Sequence, residues 1–186
     1  MGRMARAFVA LEIPASDRAE IGALMAALRP TLPGVRFIAP DTVHLTLRFL
    51  GESGAEALER LRPSLAAAAA ACPASPLETT GLGLFPERGA PRVLWLGTRM
   101  PEPLLVLQRA VEAAAVECGF ARETKPYRSH LTLGRWRDRV RRPDLPPVPS
   151  RILPLKSLVL YRSELRPSGA VHTPLAAFAL GGNAEH

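Results

Sequence analysis

The chain has 186 residues, 47% hydrophobic and 22% charged, which suits one well-buried domain or two small lobes sharing a core. Its 24 basic residues outnumber the 17 acidic ones, and the net charge of +7 favours anionic partners, nucleic acid first among them. No run of about 18 apolar residues argues for a membrane span. The apolar part of MGRMARAFVALEIP is too short for a secretory signal, so a cytoplasmic protein is expected.

In chain order, Ala7–Ile13 is an apolar run suited to a buried strand. Ser16 or Asp17 can cap the following helix, whose Ile21, Leu24, Met25 and Leu28 recur at helical spacing. Pro30, Pro33 and Gly34 end that helix, and Val35–Ile38 leads into a strand containing His44-Leu45-Thr46-Leu47. Gly54–Cys72 is an alanine-rich helix with Leu58, Leu61 and Leu65 on one face, and Pro63 within it predicts a kink or a restart. Its Ala66–Ala71 run points to close helix packing. Leu77–Phe85 and Val93–Gly97 read as strands, and Leu104, Leu107, Val111, Ala114 and Cys118 trace a second helical stripe. A second His-Leu-Thr-Leu follows at His130–Leu133. Pro143–Pro154 reads as an extended loop, and strands at Leu155–Glu164 and Leu175–Leu180 flank a turn around Pro167–Gly169. Cys72 and Cys118, at predicted helix ends, read as buried free thiols rather than a disulfide.

The doubled tetrapeptide is the strongest signal. The two copies lie 86 residues apart and hold two of only four histidines. Shifting residues 7–13 and 16–29 by the same 86 places them on the second strand and the second helix. That common offset predicts an internal duplication and a single domain, 1–186, of two similar lobes. The mixed order after the repeats predicts an α+β fold with largely antiparallel pairing. Because strand side chains alternate, His44 and Thr46 share one face, as do His130 and Thr132, with the leucines on the other. Two such strands brought together would surround one small polar ligand with two imidazoles and two hydroxyls, the equipment of acid–base chemistry at a phosphate.

The segments RAFVALEIP, VHLTLRFLGE, LGLFPERGAPRVLWLG, KPYRSHLTLGR and LVLYRSELRPSGAVHTPLAAFAL resemble the two-histidine (2H) phosphoesterases. Within that group they are most similar to the bacterial RNA 2′,3′-cyclic phosphodiesterases, also described as 2′-5′ RNA ligases. The resemblance runs from about Arg6 to Leu180. It implies two pseudo-twofold-related lobes, each a mainly antiparallel sheet with helices on its outer face, and a central cleft lined by the two His-x-Thr strands. It also implies catalysis with no cofactor and no metal, and no His-x-His, Cys pair or carboxylate cluster in the sequence offers a metal-ligand set. The expected partners are RNA ends or nucleotides carrying a 2′,3′-cyclic phosphate. A monomer is expected, because the pseudo-dimer is already built into one chain.

By resemblance, His44 is the general acid on the departing ribose oxygen and His130 the general base on water, although the sequence alone leaves that assignment open. Thr46 and Thr132 donate hydrogen bonds to non-bridging phosphate oxygens. Arg135 corresponds to a substrate-contacting arginine of the family, yet simple alternation puts it on the face opposite His130. Its use there needs a bend, which Gly134 permits. The rival is a solvated cation in the run Arg135, Arg137, Arg139, Arg141 and Arg142. Arg48 continues the face of His44 and Thr46, and Phe49 goes with the leucines into the core. Phe8, Tyr127 and Arg128 flank the strands and can stack on a base or meet phosphates. His172 stands where the family often has tyrosine and reads as a surface residue or a local variant, and His186 is terminal. Two other readings stay open: ligation through a 2′-5′ bond at the same site, and a non-catalytic nucleotide- or RNA-binding module. The former would leave the residues unchanged, and the latter would predict a broken motif, whereas both motifs are intact.

Overall fold

A computed structural model describes residues 5–166 and 169–181, so His186 and part of the predicted Pro167–Gly169 turn lie outside the described residues. The elements run β1 (Ala5–Glu12), α1 (Ala15–Leu28), β2 (Val35–Phe37), a 3₁₀ turn (Pro40–Thr42), β3 (His44–Ser53), α2 (Ala55–Ala71) and β4 (Ser75–Phe85). They continue with β5 (Val93–Arg99), α3 (Glu102–Glu117), β6 (His130–Trp136), β7 (Ile152–Leu155), β8 (Ser157–Arg166) and β9 (Gly169–Ala179). The strands form two sheets, ordered β3-β1-β8-β9 and β2-β6-β5-β4-β7, and every pairing is antiparallel. The α+β expectation is borne out.

Apart from the added β2, the two sheets have matching orders, with β3, β1, β8 and β9 answering to β6, β5, β4 and β7. Neither sheet comes from one half of the chain. β2, from before the first histidine strand, joins the sheet of the second, while the C-terminal hairpin β8–β9 joins β1. Strand register also corrects the uniform offset. Val9 and Leu94 stand 85 apart, yet they face Arg48 and Gly134, which stand 86 apart. In a strand this one-residue slip exchanges faces, so Phe8 answers to Val93 rather than Leu94.

The core is a continuous leucine-rich cluster. It takes Leu11, Leu45, Leu61, Leu96, Leu104, Leu131 and Leu158, each no more than 1% exposed. Each such side chain contributes about 1.5–3 kcal/mol on leaving water. α2 and α3 pack on each other with Ala69, Ala114 and Ala115 buried, but within the alanine run Ala66, Ala67, Ala70 and Ala71 are exposed, so only Ala69 gives the close packing expected of it. α3 also packs on β3, and α2 on β8 and β9.

Several local expectations are corrected. α2 runs through Pro63 without a restart. α1 begins at Ala15, with Pro14 as its N-cap and no side-chain cap, so Ser16 and Asp17 lie inside its first turn. Val35–Phe37 is a strand, because it finds an edge on β6. The proline-rich loop ends before Ile152, since Ile152–Leu155 pairs with β4. There Pro154 stands opposite Pro76 at the sheet edge, where a missing donor costs least. β9 extends back to Gly169 and carries Pro174 at a register shift on the other sheet's edge. Cys72 is buried and Cys118 half-buried, both free, each just past a helix end.

Candidate active site

β3 and β6 touch, and Thr46 of one and His130 of the other line a common cleft. Both strands carry a bulge one residue after the threonine. Ala10 faces Thr46 and Val9 faces Arg48, leaving Leu47 unmatched. Trp95 faces Thr132 and Leu94 faces Gly134, leaving Leu133 unmatched. A bulge interrupts alternation, so residues beyond it change face. Arg135 is thereby returned to the face of His130 and Thr132 and stands exposed. The bend that Arg135 needs is present, and it occurs in both copies.

The same bulge reverses two expectations on β3. Arg48 joins the leucines and is 8% exposed, whereas Phe49 turns out and is 63% exposed. Arg48 lies in the cleft wall with its charge already met. Its Nε pairs with Glu112 Oε2 at 2.5 Å, Nη1 donates to the Phe49 carbonyl at 2.7 Å, and Nη2 donates to the Ala121 carbonyl. It therefore ties β3 to α3 and to the segment leading to His130. Gly134 occupies the equivalent place on β6, where a Cβ would lie 2.8 Å from the Arg36 carbonyl oxygen. β2 covers that edge, and only glycine lets it approach so closely.

The two imidazoles are held alike. His44 Nδ1 is 2.7 Å from the Thr42 carbonyl, and His130 Nδ1 is 2.7 Å from the Arg128 carbonyl. A carbonyl only accepts, so each Nδ1 carries the hydrogen and each Nε2 is left to exchange a proton with a ligand. Burial pushes the His44 pKa down to about 4 against the pull of its Thr42 bond, and the charges of His172 and His130 act in the same downward direction. Burial also lowers His130, and there Arg128 and Arg135 add fixed positive charge. Both rings are thus poised neutral until an anion arrives. Neither Thr46 nor Thr132 has its hydroxyl engaged by another described residue, so both can donate to a ligand.

A cleft of about 710 Å³ is lined by Thr46, Arg48, Phe49, Phe85, Tyr127, Arg128 and His130, within the size range of small-ligand sites. A smaller pocket of about 200 Å³ lies against His44, walled by Glu12, Arg18, Asp41, Tyr161 and His172. Tyr127 donates its hydroxyl to the Thr46 carbonyl at 2.9 Å and so clasps the His130 approach segment onto β3. Arg128 pairs with Glu87 and lies over the Phe85 ring at 5.0 Å. Phe8 is not an open stacking platform, being 3% exposed. Its ring packs at 4.7 Å from His44 and 5.1 Å from Tyr161.

His172, expected at the surface, belongs instead to the surroundings of His44. It stands edge-on to His44 at 5.2 Å and to Phe8 at 5.0 Å, half-buried, with an Nδ1 that has no partner among the described residues. Burial lowers its pKa as well. No local pattern in β9 signals this, because the contact exists only once β8 and β9 are laid beside β1. His130 instead meets Phe85 at 5.0 Å and Trp95 at 6.2 Å. The two motifs therefore share one backbone geometry and differ in their surroundings. Among the described residues, no group of three His, Cys, Asp or Glu side chains can hold a metal ion, and no helix is long and apolar enough to cross a membrane.

Comparison with known proteins places the chain in a family. An RNA 2′,3′-cyclic phosphodiesterase of Thermus thermophilus is 34% identical over 188 residues, covering 95% of this chain and 91% of that protein. One from Escherichia coli is 32% identical, covering 97% of this chain and 99% of the relative. The crystal structure of E. coli LigT in apo form matches with a TM-score of 0.81 and 30% identity, over 96% of this chain and 99% of that one. The model of the LigT-like phosphoesterases matches residues 11–95 and 98–172, two stretches that each contain one His-Leu-Thr-Leu. With both motifs inside the matched stretches and most of its length covered, the chain belongs to the LigT-like phosphoesterase family.

Proposed function

We propose that this protein is an RNA 2′,3′-cyclic phosphodiesterase that opens cyclic phosphate ends to 2′-phosphomonoesters without a metal. The observation that carries the reading is the matched pair of imidazoles, each with Nδ1–H on a backbone carbonyl and Nε2 without a partner among the described residues, on strands that touch and together line one cleft. The names of the relatives, RNA 2′,3′-cyclic phosphodiesterases of bacteria and archaea, support the substrate class.

In the proposed reaction His130 Nε2 takes a proton from water, whose oxygen attacks phosphorus. The bond from phosphorus to the ribose 3′ oxygen breaks, and His44 delivers a proton to that oxygen. The assignment rests on what surrounds each ring. Burial is the main cause that keeps His130 neutral, as a base must be, and the permanent cations Arg128 and Arg135 add to it. Burial is the largest cause at His44 too, but no arginine adds to it there, so a bound phosphate anion, as a nearby opposite charge, favours its protonated form. Substrate thus charges His44 as it binds. The Thr46 and Thr132 hydroxyls and Arg135 then meet the oxygens on which charge accumulates. Arg128, Tyr127, Phe8 and Arg48 act behind these groups, fixing the approach segment, the His44 ring and the cleft wall.

The direct test supplies adenosine 2′,3′-cyclic phosphate with excess EDTA and identifies the product. Adenosine 2′-phosphate is expected, with His44→Ala and His130→Ala each losing about 10²-fold or more in turnover. A folded preparation that releases no product refutes the reading, and abolition by EDTA refutes the metal-free route. We further propose an internally duplicated single domain acting as a cytoplasmic monomer. The doubled motif and the matching strand orders support the duplication.

A further inference from the structure

Beyond Arg135, β6 runs out of the cleft into a segment with arginine at 137, 139, 141 and 142. All are exposed. Two hydrogen bonds hold this segment against the loop that follows β4. Arg92 Nη1 donates to the Arg137 carbonyl at 3.0 Å, and Arg142 Nη1 donates to the Pro86 carbonyl at 3.0 Å. That loop starts at Phe85, whose ring is edge-on to His130. The arginine-bearing loops are thus a fixed extension of the wall that carries the proposed base.

Most of the other described arginines are paired. Arg6, Arg60, Arg99, Arg109 and Arg151 each reach a carboxylate. Among the described residues, Arg36, Arg92, Arg135, Arg137, Arg139, Arg141 and Arg142 reach none within 4.0 Å, although Asp138 lies in the same run. Arg36 on β2 stands directly opposite Arg135 on β6, a like-charge cross-strand pair that costs stability in isolation. Cations gathered without counter-charges beside a phosphate site are suited to a chain of phosphates, which offers one charge after another.

We propose that this arginine face binds the ribose–phosphate backbone leading to the cyclic end, so that the preferred substrate is an RNA strand rather than a free cyclic nucleotide. This rests on the phosphodiesterase reading above and deepens it. At about 3.3 Å per strand residue, Arg137 lies roughly 20 Å from His130, far enough to reach phosphates several nucleotides from the reacting end. A cyclic mononucleotide fills only the histidine cleft and leaves the face unused.

The test compares a short oligoribonucleotide ending in a 2′,3′-cyclic phosphate with adenosine 2′,3′-cyclic phosphate. The enzymes are wild type, the triple variant Arg137→Glu/Arg139→Glu/Arg141→Glu, and the milder triple Arg→Gln variant. For wild type, kcat/KM should favour the oligomer and fall steeply with salt. Each triple variant should raise the oligomer KM by about tenfold or more and flatten the salt slope by roughly 0.7 for every phosphate it no longer neutralises. Mononucleotide turnover should be unchanged. Equal effects on both substrates, or on neither, overturn the proposal, as does weakened binding to anionic lipid vesicles with unaltered oligomer kinetics. If wild type turns over neither substrate, the phosphodiesterase reading fails alone. Salt-dependent oligomer binding that disappears in the triple variants would still support the face, and its absence would overturn it.

Discussion

Replacing Gly134 with alanine tests whether the β6 bulge and its covering strand build the site. A Cβ there would lie 2.6 Å from Val35 Cγ1, 2.8 Å from the Arg36 carbonyl oxygen and 3.1 Å from Phe37 Cα. The valine methyl can rotate away. The carbonyl cannot, because it belongs to the short ladder between Val35–Phe37 and β6. Relief therefore requires β2 to retreat, and overpacking of this kind costs about 1–3 kcal/mol. At about 2–4 °C per kcal/mol for a domain of this size, Tm should fall by roughly 2–12 °C. Arg135 is the next residue and stands opposite Arg36, so its placement beside His130 should suffer too. Urea unfolding should show a lower midpoint, and adenosine 2′,3′-cyclic phosphate kinetics a KM raised more than kcat is lowered. Gly81→Ala on β4 is the control, since nothing lies within 4 Å of its Cβ, and it should stay within about 0.5 kcal/mol of wild type. Wild-type stability and KM in Gly134→Ala would refute the role given to this glycine.

Arg48→Ala should cost about 3 kcal/mol or more in urea unfolding, because it strands the poorly solvated Glu112 carboxylate. A change under about 1 kcal/mol would mean that the pair is solvated rather than structural. The His44 pKa of about 4, against an ordinary 6.5, means that the unfolded chain takes up a proton first as pH falls. Its contribution to stability should therefore be complete above about 6.5 and fade progressively towards about 4. His44→Gln should flatten the pH dependence of unfolding across that window, and an unchanged slope would contradict the burial argument. Tyr127→Phe removes the donor to the Thr46 carbonyl and should cost about 0.5–1.5 kcal/mol. Amide hydrogen exchange should then quicken in residues 120–129, and unaltered exchange would count against the clasp.

Much of this protein is legible without coordinates. His44, Thr46, His130 and Thr132 follow from a repeated tetrapeptide, because strand alternation makes a spacing of two a statement about shared faces. The leucines between them mark the core for the same reason. Helices α2 and α3 follow from their leucine stripes. All of this is local information, carried by the chain's own periodicity. The boundaries that fail are those set by partners distant in sequence. Val35–Phe37 and Ile152–Leu155 become strands only because β6 and β4 offer them an edge.

The sequence by itself determined the chemistry available: two imidazoles, two hydroxyls, an arginine beyond the second motif and an excess of positive charge. Tertiary structure decided which side chains could use it. One unmatched leucine in each histidine strand reversed the faces beyond it, sending Arg135 to the face of His130 and Arg48 to Glu112. Pairing of β8 and β9 with β1 carried His172 to the edge of His44. A bulge is set by the register of two strands, and a ring contact by the packing of three. Neither is contained in the spacing of residues along one strand.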